Sequence, residues 1–361
     1  MKLPWEPLVT IVRSSLPELT ASGVIAVVDG QGRTLAAAGD VNQPMWGRSC
    51  LKPYQLLSHY LVLKEHYPAL GPQHFAIMES SHNGEDIHLR LLREIEAIGG
   101  VGESALQCPP RLSASADKRR EQQLAGTQPS PLFNGCSGKH FGFLMAVKAT
   151  GGDLSTYLNP DAPHFLPLRR LMAWLLKRPG HEFATTVDGC RLPNYALSAR
   201  EMALIYCRLK TGVAERELAE APPELRETLA RVGELGELMR RYPELIGGAG
   251  RFDTRIMSGE FAPGQLSLIA KDGADGLLSV GVGPTERYAH GLGILIKVAS
   301  GYDMRFMEIL LKAVLEQLGL RARAEEADER DRHISTTLHF QVAAHHFVPE
   351  AGGAPAPPGA V

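Results

Sequence analysis

Arg48-Ser49-Cys50-Leu51-Lys52-Pro53-Tyr54 is the stretch on which this chain turns. Strand-like sequence precedes it, helix-like sequence follows, and it places a serine three residues before a lysine. Residues i and i+3 share one face of a helix, so the Ser49 hydroxyl and the Lys52 amine are predicted to come within hydrogen-bonding reach. Pro53 is tolerated only in a first helical turn, which sets the helix start here. Ser49 then sits where free N–H groups and the helix dipole favour developing negative charge. A serine hydroxyl needs a base beside it to attack a carbonyl. A lysine is that base only when burial or a neighbouring cation lowers its pKa.

Working outward, Val24-Ile25-Ala26-Val27-Val28 and Arg33-Thr34-Leu35-Ala36-Ala37 flank the Gly-rich turn Asp29-Gly30-Gln31-Gly32, a hairpin pattern. Helical periodicity follows over His88 to Ile98, His140 to Ala149 and Leu225 to Tyr242. Ser198-Ala199-Arg200-Glu201 is a capping box ahead of Met202 to Leu209. Strand patterns return at Gln265 to Lys271, Leu277 to Val282 and Gly293 to Ala299, and Met304 to Leu318 reads as a closing helix. The predicted class is α/β of the segregated, α+β kind. An antiparallel sheet draws strands from both chain ends, about 8–40 and 263–320, around a mainly helical insert at about 48–245, all in one domain over 1–348. The Pro/Gly/Ala-rich segment 349–361 reads as a disordered tail.

Composition narrows the function. The chain has 361 residues, 22% charged and 44% hydrophobic, with a formal net charge of −2. That is an ordinary globular balance, and no basic cluster set among aromatics points to nucleic acid. No apolar run approaches the roughly 20 residues of a membrane span. The start, Met1-Lys2-Leu3-Pro4-Trp5, lacks the apolar core of an export peptide, and five cysteines are an odd number. A cytoplasmic chain with free or metal-binding thiols is the expectation.

Two further motifs accompany Ser49 and Lys52. Ser81 and Asn83 form S-x-N within Ser80-Ser81-His82-Asn83-Gly84-Glu85, and Lys271-Asp272-Gly273 gives K-x-G on a predicted strand. S-x-x-K, S-x-N and K-x-G in that order occur in penicillin-binding proteins and class A β-lactamases. The pairs Ser49–Lys52 and Ser81–Lys271 are therefore the candidate catalytic groups, and two nearby lysines would depress each other's pKa. A second S-x-x-K at Ser115 and Lys118 lies in a charged stretch and reads as surface. Lys210-Thr211-Gly212 reads as the end of a helix.

Cysteine supplies a third theme. Phe133-Asn134-Gly135-Cys136-Ser137-Gly138-Lys139-His140 and Val187-Asp188-Gly189-Cys190-Arg191-Leu192-Pro193 are turn-rich loops suited to an exposed or activated thiolate. Tetrahedral zinc on Cys136 and Cys190 needs further ligands, for which His140, His82 or a water are candidates. Cys207 lies in an apolar helical run and reads as core.

With these strings and Gly248-Ala249-Gly250-Arg251-Phe252-Asp253, the chain resembles the thermolabile, inducible L-asparaginases of the rhizobial type, from about Thr10 to Leu318. The resemblance implies a serine β-lactamase/glutaminase-like fold and an amidohydrolase that converts L-asparagine to aspartate and ammonia. It implies Ser–Lys tandems of Ser49 with Lys52 and Ser81 with Lys271, Ser49 being the nucleophile, and a homodimer. It also implies a zinc ion, Zn2+, held by Cys136, Lys139 and Cys190. Arg48, Asn83, His140, Asp188 and Arg251 are the candidate substrate contacts. The rivals are a penicillin-binding, peptidase-like hydrolase and a glutaminase-type one. A closing strand is expected near the C-terminus, yet Ile334 to Val348 shows no clear alternation.

Overall fold

The computed structural model describes residues 5–262, 264, 266–322 and 334–342. Its strands are β1 (Glu6–Arg13), β2 (Leu16–Asp29), β3 (Thr34–Ala38), β4 (Pro44–Trp46), β5 (Thr185–Val187), β6 (Pro193–Ser198), β7 (Leu268–Gly273), β8 (Leu277–Val282), β9 (Leu292–Val298) and β10 (Ile334–Leu338). The main sheet runs β10-β1-β2-β9-β8-β7, with β3 also on β2, and its pairs are antiparallel. Both ends of the chain thus build one sheet, joined where β2 meets β9 from Gly23↔Val298 to Asp29↔Leu292. Between β3 and β7 lie most of the helices and a small sheet, β4-β6-β5, that the sequence pattern does not announce.

The strand period of two distributes β2 between two cores. Val24, Ala26 and Val28 face the helical domain, packing in one cluster with Ala199, Met202, Ala203 and Leu295. Ile25 and Val27 face the other way, against Ile294, Ile296, Leu310 and Val314, under the helix Met304–Gln317. A sheet covered on both faces reads as continuous apolar runs, which is what β2 and β9 show.

The helix Ala199–Thr211 lies very close on β8 and β9 because glycine makes room for it. Gly281 and Gly293 are cross-strand partners. A Cβ at Gly293 would lie 1.7 Å from the Ala203 carbonyl oxygen, and one at Gly281 2.4 Å from that of Tyr206. The predicted capping box is formed: Ser198 N–H donates to Glu201 Oε2 at 2.7 Å and Glu201 N–H to Ser198 Oγ at 3.2 Å. The helix ends at Gly212, φ 80°, which confirms Lys210-Thr211-Gly212 as a helix terminus. Ser115 likewise caps the helix Ala116–Leu124, and Lys118 pairs with Asp86 at 2.6 Å.

One element differs from the sequence reading. The amphipathic run 225–242 is two helices, Pro223–Ala230 and Val232–Arg241, meeting at Arg231. The second packs on Ala199–Thr211 so closely that a Cβ at Gly236 would sit 2.0 Å from the Leu209 carbonyl oxygen. The closing strand does form: β10 pairs with β1 from Val9↔Leu338 to Arg13↔Ile334. It is exposed along its length, and an edge strand with little to bury has no need of alternation. The tail expected at 349–361 lies outside the described residues. Among the described residues no helix is long and apolar enough to cross a membrane.

Candidate active site

Arg48 opens the site in the left-handed region, φ 49°, an uncommon conformation for a side-chain-bearing residue. Two bonds from the β6 region hold it there. Gly47 N–H donates to the Tyr195 carbonyl and Arg48 N–H to Asn194 Oδ1, both at 3.0 Å. Ser49 follows in a 3-10 turn, Arg48–Leu51, that runs into the helix Lys52–Leu57 with Pro53 in its first turn. The helix start is where the sequence places it. The turn rests on β7: Cys50 Sγ donates to the Lys271 carbonyl at 3.3 Å, and a Cβ at Gly273 would lie 3.1 Å from that sulfur.

Lys52 is 0% exposed. Its amine donates to Ser81 Oγ at 2.8 Å, to the Gly135 carbonyl at 3.4 Å and to the Ser80 carbonyl. Burial lowers its pKa; the Lys139 and Lys271 cations act the same way, against the sulfurs of Cys136 and Cys190. A lysine base requires that direction. Ser81 follows the helix Pro72–Met78, with its own N–H donated to the Ile246 carbonyl at 2.8 Å.

Lys271 has a different setting from the expected tandem with Ser81. It too is 0% exposed, but its ammonium donates to Asp253 Oδ2 at 2.5 Å, Asp272 Oδ1 at 2.7 Å and the Asp272 carbonyl at 3.2 Å. Burial opposes its charge, yet the two carboxylates outweigh burial and raise its pKa. The structure gives Ser81 to Lys52 and makes Lys271 a cation. A buried ammonium needs anionic partners, which a serine hydroxyl cannot supply. Asp253 and Asp272 are the residues the sequence reading passed over. Their only sequence mark is proximity to Arg251 and to the K-x-G lysine.

Ser49 and Ser81 line one cleft of about 510 Å³, with His82, Cys136, Arg251 and Asp272 among its other walls. Arg251 donates to Asn83 Oδ1 at 3.2 Å and to Asp272 Oδ2 at 2.6 Å, so Asn83 orients the guanidinium. Arg48 and Asp188 are not among the lining residues; they pair with each other at 3.3 Å. His82 is structural: Nδ1 accepts from Gly84 N–H at 3.1 Å and Nε2 meets Ser137 Oγ at 2.9 Å. His140 is buried, with Nδ1 2.7 Å from Tyr157 Oη, and Nε2 has no hydrogen-bond partner. Burial, with the Lys139 cation, lowers its pKa to about 3, so the ring is neutral.

The cysteine loops meet at the start of the helix Ser137–Ala149. Lys139 Nζ lies 3.2 Å from Cys190 Sγ. A hydrogen bond from Cys136 and the Lys139 cation bring the Cys190 thiol down to about 5 against burial. That same bond and burial push Cys136 up to about 12. Among the described residues no three of His, Cys, Asp and Glu converge as metal ligands. The third protein donor to an ion here would have to be Lys139. Two sulfurs and a nitrogen meeting beside the cleft are donor types that suit zinc.

The L-asparaginase II family profile matches residues 9–345, nearly the whole described chain. The chain belongs to the L-asparaginase II family. Membership supports amidohydrolase activity. No curated protein matches the chain. Among solved structures, a Bacillus subtilis glutaminase in covalent complex with 5-oxo-L-norleucine is 16% identical, covers 83% of this chain and 89% of its own, and superposes with a TM-score of 0.37. A Bacillus glutaminase crystallised in 4.3 M NaCl is 15% identical over 83% of this chain and 92% of its own, again at 0.37. At that overlap the likeness carries no chemistry across to this asparaginase-family chain.

Proposed function

We propose that this protein hydrolyses the side-chain amide of L-asparagine through a seryl ester, with Lys52 as the base. The observation that supports this most directly is a fully buried, pKa-lowered lysine bonded to a serine hydroxyl on the wall of an open cleft. Ser49 Oγ attacks the amide carbon, and its proton passes to Lys52 by way of Ser81, whose hydroxyl Lys52 holds at 2.8 Å. With Arg48 N–H held by Asn194 and Cys50 N–H by Gly47, Ser49 N–H is the group of the 3-10 turn that serves the oxyanion. The C–N bond breaks as that proton returns to the leaving nitrogen, releasing ammonia. Water, deprotonated by the same relay, cleaves the ester to aspartate and frees Ser49. Lys271, held as a cation, supplies fixed positive charge rather than a base. Cys136, Lys139 and Cys190 would hold the zinc, which when bound supplies positive charge for orienting the substrate.

A second reading makes Ser81 the nucleophile, since its hydroxyl is the one in contact with Lys52. One experiment tests the first reading and weighs its rivals. Ammonia release is measured with L-asparagine and L-glutamine, a labelled β-lactam is offered as acylating agent, and acylated peptides are mapped. Asparagine turnover is expected, with the ester label from isotopically labelled asparagine on Ser49 and none from the β-lactam. A label on Ser81 selects the second reading. Preference for glutamine, or turnover of the β-lactam without any amide hydrolysis, overturns the asparaginase assignment.

A further inference from the structure

Four alternating charges meet at one wall of the cleft. Lys271 and Asp272 come from β7, Asp253 from the helix Phe252–Met257, and Arg251 from the residue before that helix. The order is Asp253 to Lys271 at 2.5 Å, Lys271 to Asp272 Oδ1 at 2.7 Å and Asp272 Oδ2 to Arg251 at 2.6 Å. Two basic and two acidic side chains thus alternate along the set. Asp253 and Lys271 are 0% exposed and cannot touch a substrate. Asp272 and Arg251, by contrast, both line the cleft that holds Ser49 and Ser81.

The deeper pair locks the pair that lines the cleft, of which Asp272 is itself only 5% exposed. Asp253 Oδ1 accepts from Thr254 N–H at 3.1 Å, and a Cβ at Gly247 would come within 2.4 Å of it, so this carboxylate has one place to be. Lys271 passes that constraint to Asp272, and Asn83 holds Arg251 from its other side. What the cleft sees is a carboxylate and a guanidinium side by side, fixed in advance. An α-amino acid carries the reverse pattern, an ammonium and a carboxylate on one carbon. Laid over the pair, each substrate charge meets its opposite, and little ordering is left to do on binding.

We propose that Asp272 and Arg251 are the specificity pair for the substrate's head group, Asp272 receiving the α-ammonium and Arg251 the α-carboxylate. Asp253 and Lys271 are positioning residues beneath them. The proposal rests on the asparagine reading and adds the residues that would tell a free amino-acid amide from an amide within a peptide or a simple aliphatic amide. Arg111 also lines the cleft and is the competing cation for the carboxylate.

The test pairs residues with substrate groups. Wild-type enzyme, Asp272→Asn, Arg251→Gln and Arg111→Gln are assayed with L-asparagine, succinamic acid, which lacks the ammonium, and 3-aminopropanamide, which lacks the carboxylate. For asparagine, kcat/KM is expected to fall roughly 10- to 150-fold in Asp272→Asn and in Arg251→Gln, the range of a lost charged hydrogen bond. Succinamic acid should be turned over equally by wild type and Asp272→Asn, and 3-aminopropanamide equally by wild type and Arg251→Gln. Arg111→Gln should leave all three unchanged. A variant that lowers all three substrates alike overturns the proposal, as does Arg111→Gln producing the carboxylate-selective loss. If Asp272→Asn does not fold, the Arg251 arm decides: Arg251→Lys should recover part of the asparagine rate, and a uniform loss there overturns the pair. Wild-type enzyme inert toward every amide would refute the underlying amidohydrolase reading, whereas active wild type with uniform losses refutes only the head-group pair.

Discussion

Lys52 Nζ lies 2.8 Å from Ser81 Oγ, although Lys52 begins one helix and Ser81 lies in the loop that follows another, Pro72–Met78. Burial lowers the Lys52 pKa from an ordinary value of 10.5, so the neutral amine is available at a lower pH than in a free lysine. Only that form accepts a proton. The rate kcat/KM should therefore climb with pH through an apparent pKa below 10.5 and then level off. Lys52→Arg, charged at every working pH, should lose at least about 1000-fold in kcat. A pH–rate profile of wild type and a single-turnover assay of the variant check both points. A flat profile would remove the lysine base.

Zinc should bind with about one ion per chain, a stoichiometry that follows from one closed donor set. Cys190→Ala and Cys136→Ala should each lose most of the metal, and the double variant little more, because both dismantle one site. Elemental analysis of the purified variants measures this directly. KM is expected to rise more than kcat falls, since the serine and lysine machinery remains in place. Full zinc content in Cys190→Ala would remove that residue from the ligand set.

Glu79 is 0% exposed, and among the described residues neither of its carboxyl oxygens has a hydrogen-bond partner. Burial raises its pKa well above 4.5, so it is a neutral acid in the folded chain and ionises on unfolding. Folding then binds a proton, and its contribution to stability, complete below pH 4.5, is lost as pH rises toward the folded value. Glu79→Gln has no such dependence. Its stability relative to wild type should improve by about 1.4 kcal/mol per pH unit above the unfolded pKa. Urea denaturation of both proteins at pH 5, 6 and 7 measures the slope, and parallel curves would mean that Glu79 is ionised in the fold.

Gly293→Ala places a methyl group 1.7 Å from the Ala203 carbonyl oxygen, where backbone, not a mobile side chain, must yield. The loss should be roughly 3 kcal/mol or more, at the severe end for overpacking. Gly212→Ala meets no neighbour, but its φ of 80° makes the cost conformational and smaller, about 1 kcal/mol. Thermal unfolding of the two variants should rank them in that order.

Much of this protein is set by local rules that a linear chain displays. Continuous apolar runs at both ends, a Gly-rich turn at Asp29 and a capping box at Ser198 are decided within a few residues, so β2, β9 and the helix Ala199–Thr211 are legible in sequence. The helix start beside Ser49 is legible for the same reason, because Pro53 permits only a first turn. Partnerships between distant charges are not local. Ser81 has Lys52 rather than Lys271 because Asp253, eighteen positions before Lys271, reaches its ammonium in the folded chain. A motif records which residue types are present, not which counter-ion satisfies a buried lysine. The exposed strand β10 is hidden for the opposite reason: it buries too little to impose a pattern, and only its pairing with β1 defines it. Sequence alone determined the elements and the inventory of reactive groups. The tertiary structure decided which lysine is held as a cation and which is left free to act as a base, because the cost of burying charge depends on what lies within a few ångströms in space.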